Sequence, residues 1–150
     1  MSEAPTRIAV IVPSRLDHLD LLQRVAEAVG QLAGFDEDAQ LDMGLAVREG
    51  AINAMKHGNR LDASLSVEIV FQADADGLRV AVSDRGHGFD PTGVPDPTAP
   101  ENLLRSHGRG LLLIRSLVDE VQFVQTEHGM QLVLIKHRSA LPSSAAQNAR

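Results

Sequence analysis

The apolar positions change period several times along the chain. Arg7 to Pro13 is a short β-branched run closed by proline, which predicts a strand. From Leu16 to Leu32, Leu19, Leu22, Val25, Ala26 and Val29 recur at three-and-four spacing and predict an amphipathic helix, with Ser14 and Asp17 both open as its cap. Gly34-Phe35 breaks that pattern, and Asp36-Glu37-Asp38 places acid where a helix N-terminus favours it. A second helix is expected from about Asp38 to Lys56, stopped at Gly58-Asn59. Leu65 to Phe71 and Leu78 to Val82 read as strands around a hairpin turn at Asp74-Ala75-Asp76-Gly77. Phe89 to His107, with Pro91, Pro95, Pro97 and Pro100, has no period and reads as a mobile lid. Gly108 to Leu117 then opens on glycines and continues as an apolar helix. Val121 to Gln125 and Met130 to Ile135 are expected strands about the turn Glu127-His128-Gly129. Ser139 to Arg150 is Ser/Ala-rich without periodicity, a flexible tail behind a single domain spanning residues 1–138. Strands in hairpins with helices grouped between them predict an α+β fold: a two-layer sandwich with one mostly antiparallel mixed sheet and helices on one face.

Composition removes whole classes of function. The 150 residues are enough for one domain with a core that needs no staples. A formal charge of -6 without any basic cluster argues against nucleic acid as the main partner. Aromatic residues are 3% and all are Phe, so platforms for stacking bases are nearly absent. With no Cys there is no disulfide framework, thiol nucleophile or thiolate metal site. The longest apolar runs are too short to cross a membrane, and the Met1–Arg7 start lacks the pattern of a signal peptide, so a cytoplasmic protein is expected. Walker-type, dinucleotide-binding, G-x-S-x-G and H-E-x-x-H patterns do not occur. The six His are scattered, which disfavours zinc. His18, His128 and His137 read as surface or turn residues, and His87 and His107, flanking the lid, as solvated positions with phosphate contact as the alternative.

Three places carry candidate chemistry. On the second helix, at about 100° per residue, Asp42, Glu49, Asn53 and His57 form one narrow polar stripe on an otherwise apolar cylinder. That stripe meets either bulk water, the plain alternative, or a wet pocket. Asn53 is a poor helix former, and small Ala46 and Gly50 beside the stripe leave room for something to approach. At the end of the Leu78–Val82 strand stands Ser83-Asp84-Arg85-Gly86-His87-Gly88-Phe89, an acid followed by Gly-x-Gly. It is either an ordinary turn or a backbone that passes close to a flat ligand. A buried carboxylate there accepts from an exocyclic amine and favours adenine over guanine. Gly108-Arg109-Gly110 opens the third helix, where free amides, a positive dipole end and Arg109 suit phosphate oxygens.

Taken together and in this order, the three features resemble the nucleotide site of the GHKL, or Bergerat-fold, ATPases. Glu49-Gly50-Ala51-Ile52-Asn53-Ala54-Met55-Lys56-His57-Gly58 resembles the N-box, Asp84 to Asp90 the first glycine box, and Gly108-Arg109-Gly110-Leu111 the second. Each box is degenerate alone. The E-x-x-x-N-A-x-x-H-G wording and compact length are similar to anti-sigma-factor serine kinases, over about Arg7 to His137. The resemblance implies that Asn53 ligates a Mg²⁺ ion bridging the phosphates of ATP. It implies that Asp84 binds the adenine amino group, framed by Gly86 and Gly88. Gly108, Arg109 and Gly110 would close over the phosphates, Glu49 would act as base toward the attacking hydroxyl, and His57 would lie nearer the nucleoside. One position departs from the family, which commonly has Gly-Thr in the last hairpin where this chain has Gly129-Met130. A thioether cannot donate the hydrogen bond a threonine would offer the adenine edge, and Thr126 need not substitute.

The function so implied is an ATP-dependent protein serine/threonine kinase. It would phosphorylate an anti-anti-sigma (STAS-type) protein, sequester a sigma factor or similar regulator, and act as a homodimer. The alternatives are a non-catalytic ATP-binding partner-switch module, a slow ATPase, and a detached histidine-kinase domain. Glu49 argues against the last, because histidine-kinase N-boxes usually carry Asn there.

Overall fold

A computed structural model describes residues 5–86 and 110–138. The expected lid, His87, Gly88, His107, Gly108, Arg109 and the tail lie outside the described residues.

Strand β1 (Thr6–Pro13) leads through a 3-10 turn (Leu16–His18) into helix α1 (Leu19–Leu32), so the helix expected from Leu16 opens as a tighter turn. Neither proposed cap performs that role. Ser14 is buried and donates to the Leu65 carbonyl at 2.7 Å, while Asp17 pairs in solvent with Arg15 at 2.8 Å and His18 at 2.9 Å. The α1 C-terminus closes with Phe35 N–H on the Gly30 carbonyl at 3.0 Å. Gly34 sits at φ +91°, a conformation glycine adopts without a Cβ penalty. Helix α2 (Glu37–Asn53) starts at Asp36, whose side chain accepts from Ala39 N–H at 2.8 Å.

Past Asn53 the helix does not continue as α to Lys56. Ala54–Gly58 is a π turn, closed by Asn59 N–H on the Ala54 carbonyl at 2.8 Å. Arg60 and Leu61 then take left-handed φ values of 53° and 58° to leave it. Strands β2 (Ser66–Ala73) and β3 (Gly77–Ser83) flank the expected hairpin turn. There Asp74 Oδ1 accepts from Asp76 N–H at 2.8 Å and Gly77 N–H at 3.2 Å. Residues 110–117 form helix α3, followed by β4 (Glu120–Gln125) and β5 (Met130–His137).

The strand order is β1-β2-β3-β5-β4, and every neighbouring pair is antiparallel. The sheet is therefore not mixed among the described strands. β3 and β4 run in the same direction, but β5 returns by a hairpin from β4 and inserts between them, so the two parallel strands never pair. Two rows of side chains cross all five strands on the core face: Ile8, Phe71, Val80, Leu134 and Val121, then Val10, Ile69, Val82, Leu132 and Phe123. Onto these rows pack Leu22, Ala26 and Val29 of α1, Met43, Val47 and Ala51 of α2, and Ile114 of α3. The opposite face mixes Arg7, Glu68, Gln72, Arg79 and Gln122 with Val70, Ala81 and Val133. In its middle Ala81 and Val133 are buried, so the alternation of a sheet wetted on one side holds only toward its edges.

Arg138, just past β5, ties two turns together, the one between α1 and α2 and the one between β2 and β3. Its Nη1 donates to the Ala33 carbonyl at the end of α1 at 2.6 Å, and Nε and Nη2 donate to the Asp74 carbonyl at 3.1 and 2.9 Å. Its guanidinium lies 5.2 Å from the Phe35 ring centroid. Charge-assisted bonds to helix-end and turn carbonyls stabilise by about 1 kcal/mol each after solvation is counted. Arg138→Ala should therefore cost about 2 kcal/mol and lower the melting temperature by roughly 4–8 °C, measured by thermal denaturation.

Candidate functional site

The site is built around the C-terminal half of α2 and the π turn that follows it. The polar stripe of α2 is neither a solvent edge nor uniform. It lies along the seam with α3. At one end Asp42 faces Lys136 Nζ at 3.8 Å, and Lys136 also donates to the Leu117 carbonyl at 3.3 Å, holding the last turn of α3. At the other end the start of α3 comes down over Glu49 and Asn53. A Cβ placed on Gly110 would stand 3.0 Å from Glu49 Oε1, and 3.7 and 3.8 Å from Asn53 Oδ1 and Nδ2. Glycine at 110 is what permits that approach. Glu49 is half-buried and Asn53 is buried at 7% exposure. Ala46 and Gly50, expected to leave room beside the stripe, instead face the sheet. Ala46 is fully buried, and a Cβ on Gly50 would meet Leu132 Cδ2 at 3.0 Å. Their smallness seats α2 closely on β3 and β5. The helix is less enclosed than its composition predicts, since Leu41 on its outer side is 49% exposed.

Among the described residues Asn53 Nδ2 is buried without a hydrogen-bond partner. An orphaned buried donor costs about 1–3 kcal/mol, so it marks a place made for something else. A phosphate oxygen would satisfy the amide as drawn, and with the amide turned over its oxygen would face a cation. Among the described residues no three His, Asp or Glu side chains gather as a metal cluster. A Mg²⁺ ion therefore fits here only with phosphate oxygens supplying most of its ligands, Asn53 being the protein's contribution.

Gly58, five residues beyond Asn53 and about 7 Å further along the axis, meets the second cluster. Asp84, at the end of β3, is 8% exposed. Its Oδ1 accepts from Met130 N–H at 3.1 Å and Gly86 N–H at 3.2 Å, and its own N–H donates to the Met130 carbonyl at 3.0 Å. Glycines wall the carboxylate. A Cβ on Gly58 would overlap Asp84 Oδ2, a Cβ on Gly129 would overlap Oδ1, and a Cβ on Gly86 would overlap the Gly58 carbonyl. The π turn is what carries Gly58 into this contact. Burial pushes the Asp84 carboxyl above its ordinary range, against the pull of the Met130 and Gly86 amides. Among the described residues no donor reaches Oδ2, so that oxygen keeps its capacity to accept a hydrogen bond.

The structure thus brings Glu49, Asn53 and Gly110 together, and Asp84 and Gly86 together, along one helix. His57 lies on the π turn with an exposed side chain. Gly88, Gly108 and Arg109 lie outside the described residues. Thr126 does not reach Asp84, since its hydroxyl donates to the Gly129 carbonyl at 3.0 Å.

Sequence reasoning missed Asn59, treating it only as a helix stop. It is 1% exposed and uses its whole amide. Nδ2 donates to Ser14 Oγ at 2.8 Å and the Ser66 carbonyl at 3.0 Å, and Oδ1 accepts from Arg85 N–H at 2.9 Å. Its adjacency to the N-box glycine was the available signal. Gly58 and Gly129 as walls of Asp84 were also missed, because nothing local in sequence links residues 58, 84 and 129.

Comparison with known proteins gives the family and the fold. The chain resembles the serine-protein kinase RsbW of Staphylococcus epidermidis, 29% identical over 144 residues that cover 91% of this chain and 90% of that one. RsbW of Oceanobacillus iheyensis is 28% identical over 136 residues, covering 87% of this chain and 85% of that one. Among solved structures, the RsbU and RsbW domains of Rv1364c from Mycobacterium tuberculosis share the fold, with a TM-score of 0.60 at 19% identity over 90% of this chain. This chain spans 34% of that longer one. The family model of the histidine kinase-like ATPase domain matches residues 12–136. With its GHKL-like boxes set in an α+β sandwich, the chain belongs to the histidine kinase-like ATPase domain family.

Proposed function

We propose that this protein is an anti-sigma-factor-type serine/threonine kinase. It transfers the γ-phosphate of ATP to a Ser or Thr of a STAS-type partner, and it sequesters a sigma factor or similar regulator as a cytoplasmic homodimer. The observation that carries the reading is the pairing of two sites along one helix: a carboxylate walled by glycines at Asp84, at the end of β3 and against the π turn, and an acid beside an orphaned amide at Glu49 and Asn53 on α2. Their separation, about 7 Å along the helix plus the reach of the side chains, suits a ligand with a base at one end and phosphates at the other.

The roles follow from chemistry. Asp84 accepts from the adenine amino group, and Gly86 and Gly88 border the base. Asn53 holds the phosphate end together with Gly108, Arg109 and Gly110, whose amides and guanidinium suit phosphate oxygens. A Mg²⁺ ion, when bound, supplies neutralisation of phosphate charge. Glu49 takes the proton of the attacking hydroxyl as the oxygen–phosphorus bond forms and the bond to the β-phosphate oxygen breaks, releasing ADP. The exposed His57 has no assigned step beyond bordering the nucleoside.

The test is radiolabelled Mg-ATP with candidate STAS partners, followed by mapping of the acceptor residue. Phosphoserine or phosphothreonine on the partner supports the reading. ATP binding without transfer selects the partner-switch module, and phosphohistidine selects a detached histidine-kinase domain. Met130 offers a separate check. Its backbone already serves Asp84, so only its side chain differs from the threonine common in the family. Met130→Thr adds a hydroxyl at the adenine edge and should tighten ATP binding about three- to tenfold by calorimetry, the worth of one hydrogen bond.

A further inference from the structure

Gly58 and Asn59 are consecutive, and so are Asp84, Arg85 and Gly86. These two segments grip each other at three points. Gly58 Cα lies against Asp84 Oδ2, the Gly58 carbonyl lies against Gly86, and Asn59 Oδ1 accepts from Arg85 N–H at 2.9 Å. The third point differs in kind. The first two are close packing, which glycine permits and which has little direction. The Asn59 bond is directional and is made to the peptide immediately after Asp84. It is buried, with Asn59 only 1% exposed.

Asn59 is itself fixed from behind. Its two amide hydrogens go to Ser14 Oγ at 2.8 Å and the Ser66 carbonyl at 3.0 Å, and Ser14 donates onward to the Leu65 carbonyl at 2.7 Å. The amide plane is thus set by the ends of β1 and β2, and through it so is the peptide that carries Asp84 and Gly86. Only an asparagine side chain of this length supplies two donors and one acceptor here. Aspartate would turn a second oxygen toward the Ser66 carbonyl.

We infer that Asn59 is a positioning residue for base recognition: it aims the Asp84 carboxylate by holding the Arg85 peptide, and Ser14 aims Asn59. This rests on the reading of Asp84 as the acceptor for an adenine amine. At 1% exposure, Asn59 acts through the Arg85 peptide. Its effect falls on discrimination at the base and not on the phosphate end, which Glu49, Asn53 and Gly110 form separately.

The experiment measures affinities for ATP and for inosine triphosphate, which has a carbonyl where adenine has its amino group, on the full chain. The parent protein should prefer ATP. Asn59→Ala should lower that preference by a factor of about ten, the loss of one aimed charge-assisted hydrogen bond, with inosine triphosphate affinity changed less than twofold. Arg138→Ala, which loosens turns bordering neither cluster of the site, controls for stability and should keep the parent's preference. If Asn59→Ala weakens both nucleotides equally, or matches Arg138→Ala, the inference is overturned. Should Asn59→Ala fail to fold, Ser14→Ala carries the test. It should lower the preference severalfold, and an unchanged preference overturns the inference. A parent that ignores both nucleotides, or binds them equally, instead overturns the reading of the site itself.

Discussion

Replacing Glu49 by glutamine is expected to lower phosphoryl transfer at least about a hundredfold while leaving ATP affinity within about twofold, because a general base contributes roughly 10²–10⁴ in rate. The substitution keeps the shape. Glu49 is half-buried at the seam of α2 and α3, where its Oε1 looks toward Gly110, and a glutamine oxygen can occupy the same place beneath the helix start. What is lost is the ability to hold a proton. Asn53, one turn further on and the group assigned to the phosphates, is untouched, so binding and transfer should separate cleanly. Single-turnover transfer to the partner gives the rate and calorimetry gives the affinity. Normal transfer by the variant removes Glu49 from the base role. A parallel loss of binding means that Glu49 contacts the nucleotide and is not a base.

The elements of the fold were legible in the sequence because their patterns are local. The β-branched run of β1, the three-and-four spacing of α1 and the Asp74–Gly77 turn each depend on neighbours within a few residues. β1 begins one residue before its expected start, the turn lies where expected, and α1 begins three residues late, after its 3-10 turn. The caps of α1 were not legible. Ser14 is drawn away by Leu65 and Asn59, contacts across some 50 residues of chain that periodicity cannot see. The π turn escaped for a related reason. Ala54 to Gly58 has ordinary helical composition, and the widening shows only in what it delivers, Gly58 onto Asp84. The stripe of Glu49 and Asn53 could be read from helical geometry, but not its environment. Whether it met water or a pocket was decided by where α3 packs, which Gly110 allows and Lys136 holds at the other end. Asp84 was legible as an acid before glycines. The walls around it come from three separate segments, so the acid could be read from the sequence and its enclosure could not.

That enclosure leads to the second large effect. Asp84→Asn should weaken ATP binding about a hundredfold and yet melt no lower than the parent at pH 8. The binding loss follows from replacing a charged acceptor by an amide that turns its NH₂ toward the adenine amine, donor against donor. The stability result follows from burial. The Asp84 carboxyl titrates above its ordinary value of 3.8 in the folded protein, chiefly because burial penalises the charge. Between that ordinary value and the raised one the folded state binds more protons than the unfolded, so stability falls as pH rises through this window and stays lowered above it. Asparagine carries no such penalty, and its oxygen still accepts from the Gly86 and Met130 amides that hold Oδ1. The melting difference, variant minus parent, should therefore be zero or positive at pH 8. It should shift toward lower values as pH is lowered through the raised carboxyl toward 4, where the parent's acid is protonated and equally at ease. Thermal melts at a series of pH values read this directly. A variant that melts well below the parent at pH 8 would mean that the charged carboxylate organises the strand end in the free protein. A carboxylate that instead costs stability until an amine arrives is one kept for binding.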